Sequence, residues 1–467
     1  MFFPTIIQGG MGIGVSNWVL ARAVSLLGQL GVVSGVVLDI VFARRLQDGD
    51  PGGHMRRALD HFPYPDMAER VYRRYFLSGG KSPEDPYKSV PVYTLKPRKE
   101  LLELGIVAGF CEVLLAKQGH RNPVGINLMQ KLDTSNLAIL FGAMLAGVDV
   151  LIEGAGIPSQ VPGILDKLSK GEPVFLRIDV HGASTMEEFG IHLDPSHFGP
   201  IQQLKRPLFF PIVGSYVLAA RLVKKRGVDG LIVVRPISAG HSVPPRGELV
   251  LKNGEPVYGP KDEANLDQIK GLNVPYLLAG GYGYPEKLKE ARRLGAVGIQ
   301  IGTPFAFCEE AGFTPEIKSQ VFELALSGDL RSFMDPTASP TGFPFKLGQI
   351  PGTLSESSVY ENRERRCDLG YLRQLFMRQD GKIIYRCPAE PEGIYVQKGG
   401  ELEDTIGRRC LCNALLANVG VPQVREDGYV EPTAVTLGKE LGVIRTLVQD
   451  YGPEYTAANV VAYMLGG

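Results

Sequence analysis

Two short segments of this chain have the composition of a phosphate grip. Ala279-Gly280-Gly281 follows the apolar run Pro275 to Leu278, and Gln300-Ile301-Gly302-Thr303 ends the run Val297 to Ile301. Glycine has no Cβ, so backbone N–H groups can approach phosphate oxygens closely, and a following helix N-terminus adds a favourable dipole. Thr303 can add a hydroxyl donor. A second chemistry-bearing group lies far downstream. Cys367, Cys387, Cys410 and Cys412 are four of the six cysteines in the chain. Four thiolates can bind zinc or an iron–sulfur cluster. Their spacing is not that of two Cys-x-x-Cys pairs, whereas Cys387-Pro388 points towards a cluster. The competing reading is four unrelated buried thiols.

Strand ends must position such loops. Eight short apolar runs recur: Thr5 to Gln8, Val32 to Val37, Val124 to Leu128, Val148 to Glu153, Leu208 to Val213, Gly230 to Val234, Tyr276 to Ala279 and Val297 to Ile301. Short, continuously apolar runs suit parallel strands covered on both faces. Helical patterns lie between them. Those at Leu137 to Ala146, Tyr216 to Arg226 and Pro285 to Leu294 are followed by the helix-stop residues Gly147, Gly227 and Gly295. Eight strands alternating with helices predict an α/β fold, a TIM (β/α)8 barrel, in which loops after strands seven and eight commonly hold a phosphate. A doubly wound open sheet is the competing geometry.

The chain has 467 residues, against about 250 for a minimal barrel. The expected barrel domain spans residues 1–349. A charged, aromatic and Pro-rich insertion at about 39–100 reads as a largely helical excursion, a lid over the catalytic face. A smaller insertion at about 173–206 carries an extra strand-like run, Val174 to Val180. Residues 350–467 read as a cysteine-containing C-terminal extension, either a subdomain or a wrap-around segment.

Composition bounds the partners. Fifty basic and 50 acidic residues cancel, which gives no electrostatic footprint for nucleic acid or an anionic membrane. No apolar run reaches the roughly 18 residues of a membrane-spanning helix. The N-terminus lacks the pattern of a secretory signal, and the sparse cysteines suit a reducing compartment. The expectation is a cytoplasmic protein with a small-molecule substrate and neither nucleic acid nor membrane as partner; a homodimer stays open.

The ordered motifs resemble the nitronate monooxygenase (2-nitropropane dioxygenase) family of FMN-binding barrels, which also includes flavin-dependent enoyl-acyl-carrier-protein reductases. They are Ile6-Ile7-Gln8-Gly9-Gly10-Met11-Gly12, Gly125-Ile126-Asn127-Leu128-Met129, Gly154-Ala155-Gly156-Ile157-Pro158, Gly230-Leu231-Ile232-Val233, Ser238-Ala239-Gly240-His241, the two phosphate segments and Ser339-Pro340-Thr341-Gly342-Phe343-Pro344. The resemblance spans about residues 4–350, apart from the insertions. It implies FMN as cofactor. Gly9, Gly10 and Met11 would run under the isoalloxazine, and Gln8 opens that turn. Asn127 would lie beside the flavin. Gly240, Gly280, Gly281, Gly302 and Thr303 would surround the phosphate, with Ala279 and Gln300 near the same site.

The resemblance also places His241 at the reactive side of the flavin, as the base. Imidazole moves protons near neutral pH, as oxidation of a nitronate or related carbon acid requires. One departure stands out: the family often has Ala-Gly-Gly-His here, and Ala239 replaces the first of those glycines. His181, after Ile178-Asp179-Val180, is a rival base. His54, His61, His120, His192 and His197 read as structural, and Cys111 and Cys308 as packing residues. Three functions remain in view: an FMN-dependent monooxygenase acting on nitronates with O₂, an enoyl-thioester reductase using NAD(P)H, and a flavin- or phosphate-binding regulator without turnover.

Overall fold

Eight parallel strands organise the computed structural model, which describes residues 3–184, 186–201 and 203–466. They are β1 (Ile6–Gln8), β2 (Gly31–Ser34), β3 (Val124–Met129), β4 (Val150–Gly154), β5 (Leu208–Val213), β6 (Leu231–Val234), β7 (Tyr276–Ala279) and β8 (Gly298–Ile301). Each pairs with its neighbours in chain order from β2 to β8, and β8 pairs with β1. A parallel bridge between Ile7 and Leu30 returns β1 to the start of β2. Gln8 donates its amide to the Leu30 carbonyl at 3.0 Å, and Leu30 donates to Ile6 at 3.1 Å. The sheet thus closes into the expected barrel, and the open-sheet alternative falls.

The apolar runs are continuous because both faces are covered. Ile7, Val32, Ile152, Phe210, Ile232 and Leu277 fill the interior. Their chain neighbours, such as Val33, Leu151 and Leu278, pack outward against helices. Local chemistry sets the helix ends. Asn17 caps the helix Trp18–Leu26, its Oδ1 accepting from the Leu20 amide at 2.9 Å. Gly147, Gly227 and Gly295 all have positive φ, the left-handed backbone that glycine adopts without strain.

The first insertion is helical, with helices at Leu38–Gln47, His54–Leu59 and Pro65–Tyr75 leading towards the long helix Lys99–Lys117. Its helices lie in an outer layer, while its later residues reach the cluster of Phe345. Phe42, Leu46, Met55, Met67 and Val71 pack beside Leu104 and Val107 in an outer layer. The apolar faces of these helices need a partner, and Lys99–Lys117 provides it beside the barrel. Tyr87 and Tyr93 join Ile13, Leu132 and Phe345 in a separate cluster. The second insertion forms an antiparallel hairpin, Val174–Arg177 with Gly190–Leu193, outside the barrel sheet.

Residues beyond 330 divide their packing. The antiparallel pair Ser332–Asp335 and Phe345–Gly348 precedes a hairpin, Gln374–Met377 with Ile383–Arg386, and a helix, Leu411–Ala417. Phe345, Leu372 and Leu411 share the cluster of Ile13 and Leu132. Helices Gly442–Tyr451 and Ala457–Leu465 join the core of β6–β8, where Tyr455 is fully buried and donates to the Pro304 carbonyl at 2.9 Å. No helix of the described residues is long and apolar enough to cross a membrane.

Candidate active site

The last two strand ends build the cradle that their composition suggests. The register pairs Ala279 with both Gln300 and Val234, setting β6, β7 and β8 level. Gly280 and Gly281 then turn at φ +85° and +79°. A Cβ on Gly280 would lie 2.9 Å from the Arg235 carbonyl oxygen, and one on Gly281 would lie 2.5 Å from Ile237 Cδ1. Gly302 caps the short helix Thr303–Ala306. Among the described residues, the amides of Gly281, Gly302 and Thr303 donate to no protein acceptor. Gln300 Oε1 is buried without a hydrogen-bond partner. Orphaned buried oxygens are costly, so this one marks a place where a ligand donor belongs.

Gly240 departs from its implied role in the phosphate ring. Its amide donates to Thr436 Oγ1 at 2.8 Å, and its carbonyl accepts from the Lys346 amide at 3.2 Å. The residue therefore anchors the loop after β6 to the C-terminal region. That region approaches the cradle itself: a Cβ on Gly438 would lie 3.4 Å from Thr303 Oγ1. Nothing in the sequence motifs pointed to Thr436 or Gly438, which follow β8 by more than a hundred residues.

The turn after β1 meets β3 and β8. Gly9 donates to the Ile301 carbonyl at 2.8 Å. A Cβ on Gly10 would lie 2.1 Å from Asn127 Cβ, so only glycine fits there. Met11 Sδ would lie 3.5 Å from a Cβ on Gly302. Gly9, Gly10, Met11, Asn127 and Gly302 are thus brought together. Gln8 has a different position. It is fully buried; its Nε2 donates to Ser16 Oγ at 2.7 Å and its Oε1 accepts from the Val32 amide at 2.9 Å. Its carboxamide cross-links the strands and holds the turn, rather than facing a cofactor.

His241 stands at the end of the β6 loop, with its ring edge-on to Phe345 at 4.8 Å. Nε2 lies 2.7 Å from the fully buried Ser339 Oγ, while Nδ1 takes no part in the described hydrogen bonds. Desolvation, followed by the nearby charge of Lys131, pushes the imidazole pKa down to about 4. The ring is therefore neutral at physiological pH, and a weaker base than a free imidazole. Lys131 also lies over the Phe343 ring at 4.7 Å. Lys346 Nζ donates at 2.6 Å to both the Pro236 carbonyl and Ser242 Oγ, pinning the two ends of the histidine loop. Burial, then Lys439, pushes its pKa down to about 7.

The motif Ser339 to Pro344 contained the histidine's partner, but its sequence could not show the pairing. The motifs also missed Glu153, and its place as the one acid in the strand Val150–Gly154 is the signal that could have found it. Burial, then Asp133, raises its pKa to about 8; burial is also the first cause raising Asp133 to about 7. The rival base His181 is exposed and stacks on Phe376 at 4.9 Å, in the second insertion. His54 tilts against Trp18, His61 and His120 bond backbone carbonyls of their own helices, His192 lies beside Phe175, and His197 pairs with Asp194. Cys111 and Cys308 are buried singly in core clusters.

The expected metal site needs correction for a single ion. Among the described residues, no three His, Cys, Asp or Glu side chains are arranged to hold one metal ion. Cys367, Cys387, Cys410 and Cys412 are all free thiols. They line a common cavity instead of meeting at a point.

The glycine turns and the orphaned Gln300 oxygen fit the phosphate-bearing flavin that the motifs imply. Parts of the chain are also similar to known proteins. The family model described as nitronate monooxygenase matches residues 168–328. A probable nitronate monooxygenase of Bacillus subtilis is 34% identical over 110 residues, covering 23% of this chain and 30% of the relative. A (3aS,4S,5R,7aS)-5-hydroxy-7a-methyl-1-oxo-octahydro-1H-indene-4-carboxyl-CoA dehydrogenase of Mycobacterium tuberculosis is 26% identical over 208 residues, covering 40% of this chain and 55% of the relative. The matches thus span about a third to a half of these relatives' lengths. Among solved structures, FabK from Thermotoga maritima has a TM-score of 0.47 at 16% identity, covering 99% of this chain and 92% of its own. A nitroalkane oxidase from Streptomyces ansochromogenes has a TM-score of 0.47 at 14% identity, covering 99% and 95%. The chain is thus similar to the nitronate monooxygenase family over residues 168–328, about a third of its length.

Proposed function

We propose that this protein is an FMN-dependent oxidoreductase that oxidises a nitronate or related carbon acid with O₂, His241 being its proton-transfer group. One observation carries the reading: a neutral imidazole, oriented by Ser339, stands at the same barrel end as a glycine cradle. Gly280, Gly281, Gly302 and Thr303 would hold the phosphate through backbone N–H groups. Gln300 would meet a donor from the cofactor, and Gly9, with Gly10 packed on Asn127, would border the ring system. When bound, FMN supplies the two-electron acceptor and the reaction with O₂.

The protein's own groups manage the proton. With Nε2–H donated to Ser339 Oγ, the Nδ1 lone pair is the one that accepts a proton from the substrate carbon. Burial and then Lys131 disfavour the imidazolium, which keeps the ring unprotonated before substrate arrives while weakening it as a base. The Lys131 charge also favours an anionic substrate nearby. A second reading, an oxidoreductase of acyl thioesters with NAD(P)H as donor, draws support from the CoA-dehydrogenase relative, which matches the longer stretch of this chain.

Spectra of the purified protein test the reading directly. Oxidised-flavin absorption is expected, with anaerobic bleaching by a nitronate such as that of 2-nitropropane. Bleaching by NAD(P)H alone transfers the assignment to the thioester reductase. A chain that retains no flavin after incubation with FMN overturns both readings.

A further inference from the structure

We propose that Cys367, Cys387, Cys410 and Cys412 ligate an iron–sulfur cluster of the [4Fe–4S] type. The four residues come from three separate segments, yet they line one cavity. Three are buried outright and Cys367 is half-buried. The other walls are largely apolar, with Leu369, Leu372, Leu411 and Ala389 among them. No carboxylate or imidazole lines the space to compete as a ligand.

The size of the gap selects the class of ligand. A zinc ion bonded to four thiolates at about 2.3 Å draws the sulfurs together until nothing of water size fits between them. Here a sphere the size of a water molecule does fit among the lining atoms. The same spread accounts for the absence, among the described residues, of a group arranged around one metal ion. A cubane cluster needs its four cysteines set apart by its own width, and four cysteines are its usual ligand complement. Asn413 Nδ2 donates to Cys410 Sγ at 3.5 Å, a bond of the kind that tunes cluster potentials. Without a metal, burial pushes all four thiols up, which leaves them poor nucleophiles; bound iron would deprotonate them outright.

The cavity also adjoins the active site. Pro340 lines it, and the preceding Ser339 holds His241. A single residue step therefore links the cysteine pocket to the partner of the proton-transfer group.

The full chain, produced with supplemented iron and purified anaerobically, is assayed for iron, acid-labile sulfide, zinc and FMN. About four irons and four sulfides per chain are expected, with a broad visible absorption beyond that of flavin that dithionite bleaches. Cys412→Ser should lower iron content severalfold, while Cys111→Ser, on the helix Lys99–Lys117 beside the barrel, leaves it unchanged. If Cys412→Ser does not fold, the wild-type chain stripped of metal and then reconstituted with iron and sulfide decides the matter. One zinc per chain without sulfide overturns the proposal. So does a chain that takes up no iron on reconstitution, or one whose cysteines are paired as disulfides. FMN is scored separately: a cluster without flavin refutes the proposed function and leaves this inference standing.

Discussion

Ser339 Oγ and His241 Nε2 lie 2.7 Å apart, although 98 residues separate them in the chain. The pairing fixes which ring nitrogen is left for substrate. Removing the hydroxyl in Ser339→Ala is expected to lower kcat about tenfold, equivalent to ~1.4 kcal/mol, the upper end for one hydrogen bond. His241→Ala is expected to lose about 10²–10⁴-fold, the range of general-base catalysis. Steady-state kinetics on flavin-loaded protein checks both. Equal rates for wild type and His241→Ala would remove the histidine from the mechanism.

The pH profile carries an independent signature. A base with its pKa pushed down to about 4 is neutral above that value and protonated below it. kcat/KM should therefore hold from neutrality down to about pH 4 and fall below it. Lys131→Gln removes a charge that disfavours the imidazolium, so its acid limb should move to higher pH. An acid limb that ignores residue 131 would mean that another group sets it.

Gly10→Ala tests the contact between the β1 turn and Asn127. The added methyl overlaps Asn127 Cβ, and overpacking of this kind typically costs about 1–3 kcal/mol. The expected outcome is a lower Tm together with reduced flavin per chain. Full flavin occupancy at an unchanged Tm would show that the turn yields easily.

Flavin removal should itself destabilise the fold, because the cofactor binds only the folded chain. At a free concentration of about a hundred times Kd, its loss removes ~2.7 kcal/mol. Melting curves with and without added FMN measure the difference. Coincident curves would place the flavin elsewhere or nowhere.

Glu153 predicts a pH-dependent stability. Its folded pKa is raised to about 8, above the ordinary 4.5, with burial the first cause. The folded state holds the proton more tightly than the unfolded state. Stability from this group is thus complete below about pH 4.5 and is lost as pH rises towards 8. Glu153→Gln should gain Tm relative to wild type as the pH is raised from 5 to 8. A constant difference across that range would contradict the shift.

The glycine cradle was legible because its cause is local. A strand ending in glycine needs only its own backbone to turn, and the register of β7 with β8 then follows from barrel closure. The eight apolar runs were legible for a similar reason: parallel strands buried on both faces read as unbroken hydrophobic stretches. His241 was identifiable through its ordered neighbours, but its tautomer was not, since that depends on Ser339.

What the sequence determined by itself is therefore the barrel, its glycine ends and the identity of the candidate base. Only the tertiary structure decided that Gln8 braces strands, that Gly240 is tied to Thr436, and that the first insertion packs beside the barrel. It also brought four dispersed cysteines around one cavity. The physical reason is range. Periodicity and turn chemistry act over a few residues, whereas the partners of the Gln8 carboxamide at Val32, of the His241 imidazole and of the Gly240 amide lie 24, 98 and 196 residues away and are chosen by chain closure.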